Sequence, residues 1–213
     1  GDYDADGDLD LIVTNYQLEN NALYRNDGMV FTEASFQAGL GEISLNYLGF
    51  GTLFLDVNND GWLDLFVANG HVHDNIEQYD KLVTYEQKAQ LFLNEKGFFR
   101  EITAQAGPAF AATYVGRGVA YGDYDDDGDL DLVMNNSEQR AVLMRNDGGN
   151  SGNWLQVELQ GTKSNRDAVG AVVYLESNGW VRMQQVKSGS GYQSSSQKAL
   201  FFGDTLITEY LRL

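Results

Sequence analysis

The sequence predicts an all-β chain: a repeated unit of four strands, followed by a small antiparallel domain. Three observations predict it. A short acidic loop is spelled three times, DYDADGDLD at 2–10, DVNNDGWLD at 56–64 and DYDDDGDLD at 123–131. Each copy runs into a short β-rich segment, LDLIVTN (9–15), LDLFVAN (63–69) and LDLVMNN (130–136). The turn sequences LYRNDG (23–28), LFLNEKG (91–97) and LMRNDG (143–148) then fall at matching places between the copies.

The acidic loop comes first in each unit. Asp, Asp or Asn, Asp, Gly and Asp stand at loop positions 1, 3, 5, 6 and 9. Alternating carboxylates turn inward together only if the chain bends tightly, and the Gly supplies the left-handed backbone that the bend needs. Hard cations such as Ca²⁺ take six to eight oxygens at about 2.3–2.6 Å, which such a loop can deliver. The expected side-chain ligands are Asp2, Asp4, Asp6 and Asp10; Asp56, Asn58, Asp60 and Asp64; and Asp123, Asp125, Asp127 and Asp131. The carbonyls of Asp8, Trp62 and Asp129 at position 7 complete each shell, giving three calcium sites. The competing reading is an Asp-rich surface turn. A turn needs no such crowding of carboxylates, and without a cation they would repel one another or shift their pKa values upward.

These loops are not EF-hands. An EF-hand needs a Glu at position 12 and a helix on each side, whereas position 12 here is Val13, Val67 and Met134. GFGTLFLD (49–56) and GRGVAYGD (116–123) read as strands leading into the second and third loops. Each loop therefore joins two strands, and its position 9 opens the second.

The repeat extends beyond the loop. VFTEASFQAGL (30–40) matches FFREITAQAGP (98–108) at Phe, Glu, Gln, Ala and Gly. The second copy is longer because of an insertion near 71–88. A unit of about 50 residues with four strands is a propeller blade. The expected architecture is a partial β-propeller of four-stranded blades with calcium loops over 1–149, about three blades with the first truncated. Propellers close with about four to eight blades. Since Asp2 already lies inside a loop, the expectation is a fragment with further blades upstream; the rival is a short open array with exposed sheet edges.

The acidic loops stop after Asn150. GNSGNW (149–154) reads as a linker. WLQVELQG (154–161), AVGAVVYLE (168–176), GWVRMQQVKSG (179–189), KALFFGD (198–204) and ITEYLRL (207–213) read as strands. Residues 150–213 are expected to form a small antiparallel β-sandwich-like domain, truncated at its C-terminus.

Loops of this kind beside GFG and GRG strands resemble FG-GAP/VCBS repeats, the propeller type of integrin α chains. The segment NWLQVELQGTKSNRDAVGAVVYL, followed by VKSGSGYQSSS and LFFG, resembles the ASPIC/UnbV domain. Together they resemble the cartilage acidic protein family and its bacterial secreted relatives, and ANGHVHDNIEQ (68–78) is similar to that family's insertion. The resemblance implies a secreted calcium-binding propeller acting in adhesion or matrix contacts.

Composition bounds the function. The formal net charge is −17, and many of the 31 acidic residues lie in the loops. Such an excess argues against nucleic acid and anionic membranes as partners. There is no Cys and hence no disulfide framework, and no apolar run approaches the length of a membrane span. The expected location is extracellular or the cell surface, or the periplasm, because exposed loops of modest affinity fill where calcium is millimolar.

Other residues compete for a functional role. His71 and His73, with Asp74 beside them, form an i, i+2 pair on one strand face, but no clear third ligand accompanies them. The insertion carries Ile76, Tyr79, Leu82, Val83 and Tyr85, and reads as a loop with a short helix over a blade edge or as a partner surface. Arg25 and Arg145 occupy equivalent turns; Lys163, Arg166 and Asp167 form a polar loop; Asn135 heads a glycosylation sequon. SGSGYQSSS (188–196) is a mobile connection or a recognition loop with Tyr192 stacking on a sugar. No catalytic residue is assigned. The expected function is a non-catalytic adhesion or interaction module for an extracellular protein or glycan, calcium being structural. The alternatives are part of a calcium-dependent enzyme acting on polysaccharide or phosphoesters, and a structural subunit whose edges pair with upstream blades or neighbouring protomers.

Overall fold

Apolar residues alternate after each acidic loop, and they form the expected strands. The computed structural model describes residues 1–177, 179–204 and 211–212. β1 (Leu11–Val13), β2 (Ala22–Asn26) and β3 (Phe31–Glu33) form a three-stranded antiparallel sheet in chain order. β4 (Gly49–Leu55), β5 (Asp64–Asn69), β6 (Gln90–Asn94) and β7 (Phe99–Glu101) form a four-stranded meander. β8 (Gly116–Gly122), β9 (Asp131–Asn136) and β10 (Val142–Met144) form a third sheet. The repeat holds at the level of single cross-strand pairs: Leu11 faces Tyr24, Leu65 faces Phe92 and Leu132 faces Met144.

The sheets stack face to face like blades. One face of the second sheet, with Leu65, Val67, Phe92 and Phe99, buries itself against Tyr3, Leu23, Ala34 and Leu40 of the first unit. Its other face, with Phe66, Ala68 and Leu91, packs against Leu132, Met144 and Phe110. The inner strand β8 approaches β4 and the end of β5 so closely that a Cβ on Gly51 would strike the Arg117 carbonyl and one on Gly116 the Asn69 carbonyl. These glycines, not side-chain interdigitation, set the spacing near the propeller axis. None of the five sheets closes on itself among the described residues.

The stack leaves both end faces open. Leu11, Val13 and Phe31 are 50, 38 and 56 % exposed, although their counterparts Leu65, Val67 and Phe99 are fully buried. On the third sheet Val133 and Leu143 are 44 and 49 % exposed, whereas their counterparts Phe66 and Leu91 are buried.

Two details depart from the sequence reading. The third sheet has three strands because the chain leaves it after Met144, and a groove of about 460 Å³ lined by Leu91, Ile102, Phe110, Leu132 and Met144 lies beside β10. And 149–154 is not a free linker. Gly149 is buried against the Val57 carbonyl, and Asn150 donates from its backbone to Asp129 Oδ2 (3.2 Å) and from its side chain to the Asp127 carbonyl (3.1 Å).

The last third contains β11 (Asn153–Val157), β12 (Val172–Ser177), β13 (Trp180–Gln185), β14 (Leu200–Asp204) and β15 (Leu211–Arg212). β11 pairs with β14, and β12 lies between β13 and β15. Val157, Val173, Leu175, Val186, Leu200 and Phe202 form a core of their own. Of the strand expected over 207–213, residues 207–210 and 213 lie outside the described residues. β14 also points outward: Phe201 enters the core shared by the second and third blades. The C-terminal module is thus fixed to the blades by burial of a large aromatic ring.

Candidate metal centres

Each acidic loop folds by the same set of hydrogen bonds. The position-1 carboxylate accepts the backbone N–H groups of positions 5 and 6: Asp2 from Asp6 and Gly7 (3.1 and 3.2 Å), Asp56 from Asp60 and Gly61 (3.1 and 2.8 Å), and Asp123 from Asp127 and Gly128 (both 3.1 Å). The position-5 carboxylate accepts the N–H of position 7 in turn, Asp6 from Asp8, Asp60 from Trp62 and Asp127 from Asp129. Gly7, Gly61 and Gly128 take φ of 94, 89 and 93°, the left-handed bend expected of position 6. Position 4 bends the same way although it is never Gly: Ala5, Asn59 and Asp126 have φ of 58, 54 and 59°. Backbone strain at three equivalent non-Gly residues is sustained only where surrounding contacts over-determine it.

Position 9 ties the loop to the rest of its blade. Asp10, Asp64 and Asp131 each accept two backbone N–H groups, one on each oxygen. One comes from loop position 2 (Tyr3, Val57 and Tyr124, at 3.0, 3.0 and 2.8 Å). The other comes from an Asn at the end of the next-but-one strand or, for Asn146, two residues past it (Asn26, Asn94 and Asn146, at 2.9, 2.8 and 2.8 Å). That Asn reaches onward with its side chain. Asn94 Nδ2 donates to the Leu63 carbonyl of its own loop and to the Tyr3 carbonyl of the preceding one, and Asn146 Nδ2 donates to the Val57 carbonyl of the preceding loop. The loops are therefore chained from blade to blade. Sequence reasoning took these asparagines only as turn residues; their recurrence at matching places was the available signal.

The bend brings positions 1, 3 and 9 together. Carboxylate oxygens of Asp2, Asp4 and Asp10 lie within 4.8 Å of one another, as do those of Asp123, Asp125 and Asp131. In the second loop Asn58 replaces the position-3 acid; its Oδ1 accepts the Asp60 N–H and its Nδ2 donates to Asp60 Oδ2. Asp6 and Asp60 face solvent, Asp127 is half-buried, and all three are turned toward position 7 by the bonds above. Asp8 is exposed, Trp62 is half-buried and Asp129 is fully buried. Burial pushes Asp2 and Asp56 up to about 7, Asp4 and Asp129 up to about 6, and Asp64 well above the usual carboxylate range. Neighbouring acids add to the rise, chiefly Asp10 on Asp4 and Asp60 on Asp56. Asp4 Oδ1 is buried and receives no hydrogen bond. A hard cation would satisfy that oxygen and reverse the crowding, so the donor set fits Ca²⁺.

The C-terminal module covers two of the loops. The Trp180 ring lies 5.0 Å from that of Trp62, and Arg182 stacks over Trp180 at 4.8 Å. Arg182 donates to the Gly203 carbonyl and pairs with Asp204 at 2.7 Å in a buried site. A Cβ on Gly61 would strike Arg182, and one on Gly128 would strike Trp154. Gly61 and Gly128 are thus required twice, for the bend and for this close cover.

The remaining candidates scatter. Arg25 pairs with Asp27, and Arg145 with Asp147 and Asp125. Lys198 pairs with Asp167, while Lys163, Arg166 and Asn135 are exposed. The insertion contains a short 3₁₀ turn at Ile76–Gln78, with Ile76 and Val83 buried and Tyr79 and Leu82 exposed. His71 is fully buried and His73 is exposed. No described helix is long and apolar enough to cross a membrane, which says nothing of β-barrels.

Comparison with known families agrees with this geometry. The FG-GAP-like repeat model matches residues 2–67 and 74–134, leaving out 68–73, where the insertion begins. The model described as ASPIC and UnbV matches residues 161–207. No curated protein matches the chain. FG-GAP-like repeats are typical of extracellular proteins. With three equivalent acidic loops, a recurring strand register and a family match over more than half its length, the chain belongs to the FG-GAP-like repeat family, joined to an ASPIC/UnbV domain.

Proposed function

We propose that this chain is a calcium-clipped, non-catalytic interaction module that acts outside the cell on a protein or glycan. The observation that carries the reading is the convergence of positions 1, 3 and 9 in equivalent loops, with the buried Asp4 Oδ1 left without a hydrogen. Calcium in these loops would act structurally. The position-1 and position-9 carboxylates already bind backbone N–H groups, so a cation on their free lone pairs would lock loop to strand. The millimolar calcium of extracellular fluid suits loops of this type.

Catalysis calls for titratable groups that converge on one cavity. The acids here converge on their own backbone, which favours a clip over a reaction centre. A structural-subunit reading is supported by one observation. The open faces, Leu11, Val13 and Phe31 on one end and Val133 and Leu143 on the other, are the two halves of the interface that joins consecutive blades. Further blades or neighbouring protomers would cover them.

Thermal unfolding with excess calcium and with chelator tests the calcium reading. A melting temperature markedly higher with calcium is expected; equal temperatures would sink it.

A further inference from the structure

Away from the acidic loops, at the opposite ends of the inner strands, side chains from five segments meet in one strip. Arg117 near the start of β8 lies over the ring of Phe50, near the start of β4, at 4.0 Å. Tyr192, from the C-terminal module, meets Phe50 edge-on at 5.1 Å. His71, at the start of the insertion, touches Tyr16 of the first unit edge-on at 5.5 Å. Arg117 Nη2 donates to the His71 carbonyl at 3.0 Å and joins the two halves. The turn carrying Tyr192 is fixed: Gly191 bridges to Ser194, Gln193 takes φ of 47°, and the turn's carbonyls lie against Gly118 of β8.

The donors of this strip are not used up. Arg117 Nη1 donates to the Gly70 and Gly116 carbonyls. Its Nε–H and one Nη2 hydrogen find no acceptor among the described residues, and no carboxylate pairs with it there. His71 Nδ1 accepts the His73 backbone N–H at 3.0 Å, so the neutral ring carries its proton on Nε2. Burial lowers the His71 pKa and keeps the ring neutral near pH 7. That Nε2 is buried without a partner. Tyr16 and Tyr192 flank the strip at 44 and 41 % exposure.

We propose that this strip binds a carboxylate-bearing sugar, a uronate. The carboxylate would take the free edge of Arg117, in the side-on geometry that a guanidinium offers an acid. Tyr192 and Tyr16 would pack on the sugar faces. The charge of the chain disfavours a polyanion. A single uronate on an otherwise neutral oligosaccharide is therefore the fitting ligand. The proposal deepens the interaction-module reading and rests on it.

Calorimetric titration of the 213-residue chain, held in calcium, tests it with glucuronosyl-xylotriose, carboxyl-reduced glucuronosyl-xylotriose, xylotetraose and free glucuronate. The acidic oligosaccharide is expected to bind at least about tenfold more tightly than both neutral ones, as one charge-assisted pair requires. Free glucuronate is expected to bind more weakly, for want of the neighbouring sugars. Tyr192→Ala and Arg117→Lys are expected to weaken the acidic oligosaccharide by about tenfold each, with unchanged calcium stoichiometry. No binding by the acidic oligosaccharide, or equal binding by its carboxyl-reduced form, overturns the proposal on the unaltered protein, whatever becomes of the folding of Arg117→Lys. A chain that fails here but still gains thermal stability from calcium keeps the clip and loses only the uronate.

Discussion

Asp64 Oδ1 holds the backbone N–H of Asn94 at 2.8 Å, across 30 residues of chain, in a fully buried site. The other oxygen holds Val57 N–H at 3.0 Å. One carboxylate thus closes the acidic loop and pins it to the third strand of its blade. Removing it leaves one buried and one half-buried N–H group without their acceptor. Asp64→Ala is expected to cost about 3 kcal/mol or more. Asn94→Ala keeps its backbone donor but loses the side-chain bonds to the Leu63 and Tyr3 carbonyls and the acceptor of the Gly97 N–H, so about 2 kcal/mol is expected. Urea unfolding in calcium measures both; an Asp64→Ala loss below that of Asn94→Ala would refute the pinning.

The loops predict an inverted pH response without calcium. Burial raises Asp2 and Asp56 to about 7 in the folded chain, against an ordinary value of 3.8. A carboxyl with a raised folded pKa binds its proton more tightly when folded. Its stabilising contribution is complete below about 3.8 and is lost as pH rises through about 7. The calcium-free chain should therefore melt higher at pH 5 than at pH 7.5. With calcium the order should reverse, because the cation needs the deprotonated acids. Melting temperatures at the two pH values, with chelator and with calcium, decide it; the same slope in both would contradict the loop electrostatics.

Arg182 and Asp204 form a buried ion pair beneath the second loop. Arg182→Ala removes the guanidinium that pairs with Asp204 and the stack on Trp180. A loss of about 3 kcal/mol or more is expected, together with loss of the near-ultraviolet signal from the Trp62–Trp180 contact. A stability change under about 0.5 kcal/mol, the usual range of a surface substitution, would show that the module does not rely on this anchor.

The open blade faces predict self-association. Val133 and Leu143 of one copy are equivalent to the residues that cover Leu65, Val67 and Phe99 within the chain. Sedimentation of the chain should show head-to-tail oligomers that grow with concentration. Leu11→Glu, at one end alone, should block growth at that face and leave the melting temperature nearly unchanged, since Leu11 is half-exposed. A chain that stays monomeric at high concentration would refute the complementarity of the two ends.

The strands were legible because each unit repeats one pattern, and Leu65 and Val67 differ from Leu11 and Val13 only in what covers them. The position-6 bend was legible because Gly7, Gly61 and Gly128 report their own backbone. The left-handed turn at Ala5, Asn59 and Asp126 was not, because side chains there carry no mark of φ. The cover over the loops was not legible either. Trp154, Trp180 and Phe201 reach their partners through tertiary packing between segments far apart in sequence, which leaves no local periodicity. GNSGNW (149–154) read as a linker from its Gly and Asn content, while Asn150 within it donates to Asp127 and Asp129.

Calcium stoichiometry by native mass spectrometry tests the central claim most directly. The unaltered chain is expected to bind three Ca²⁺, in line with three loops of common geometry. Asp4→Ala and Asp125→Ala, which remove the position-3 acid from the first and third loops and leave the backbone-binding acids in place, are each expected to bind two. A chain that binds none at millimolar calcium, or variants that still bind three, would contradict the assignment of these loops as calcium clips.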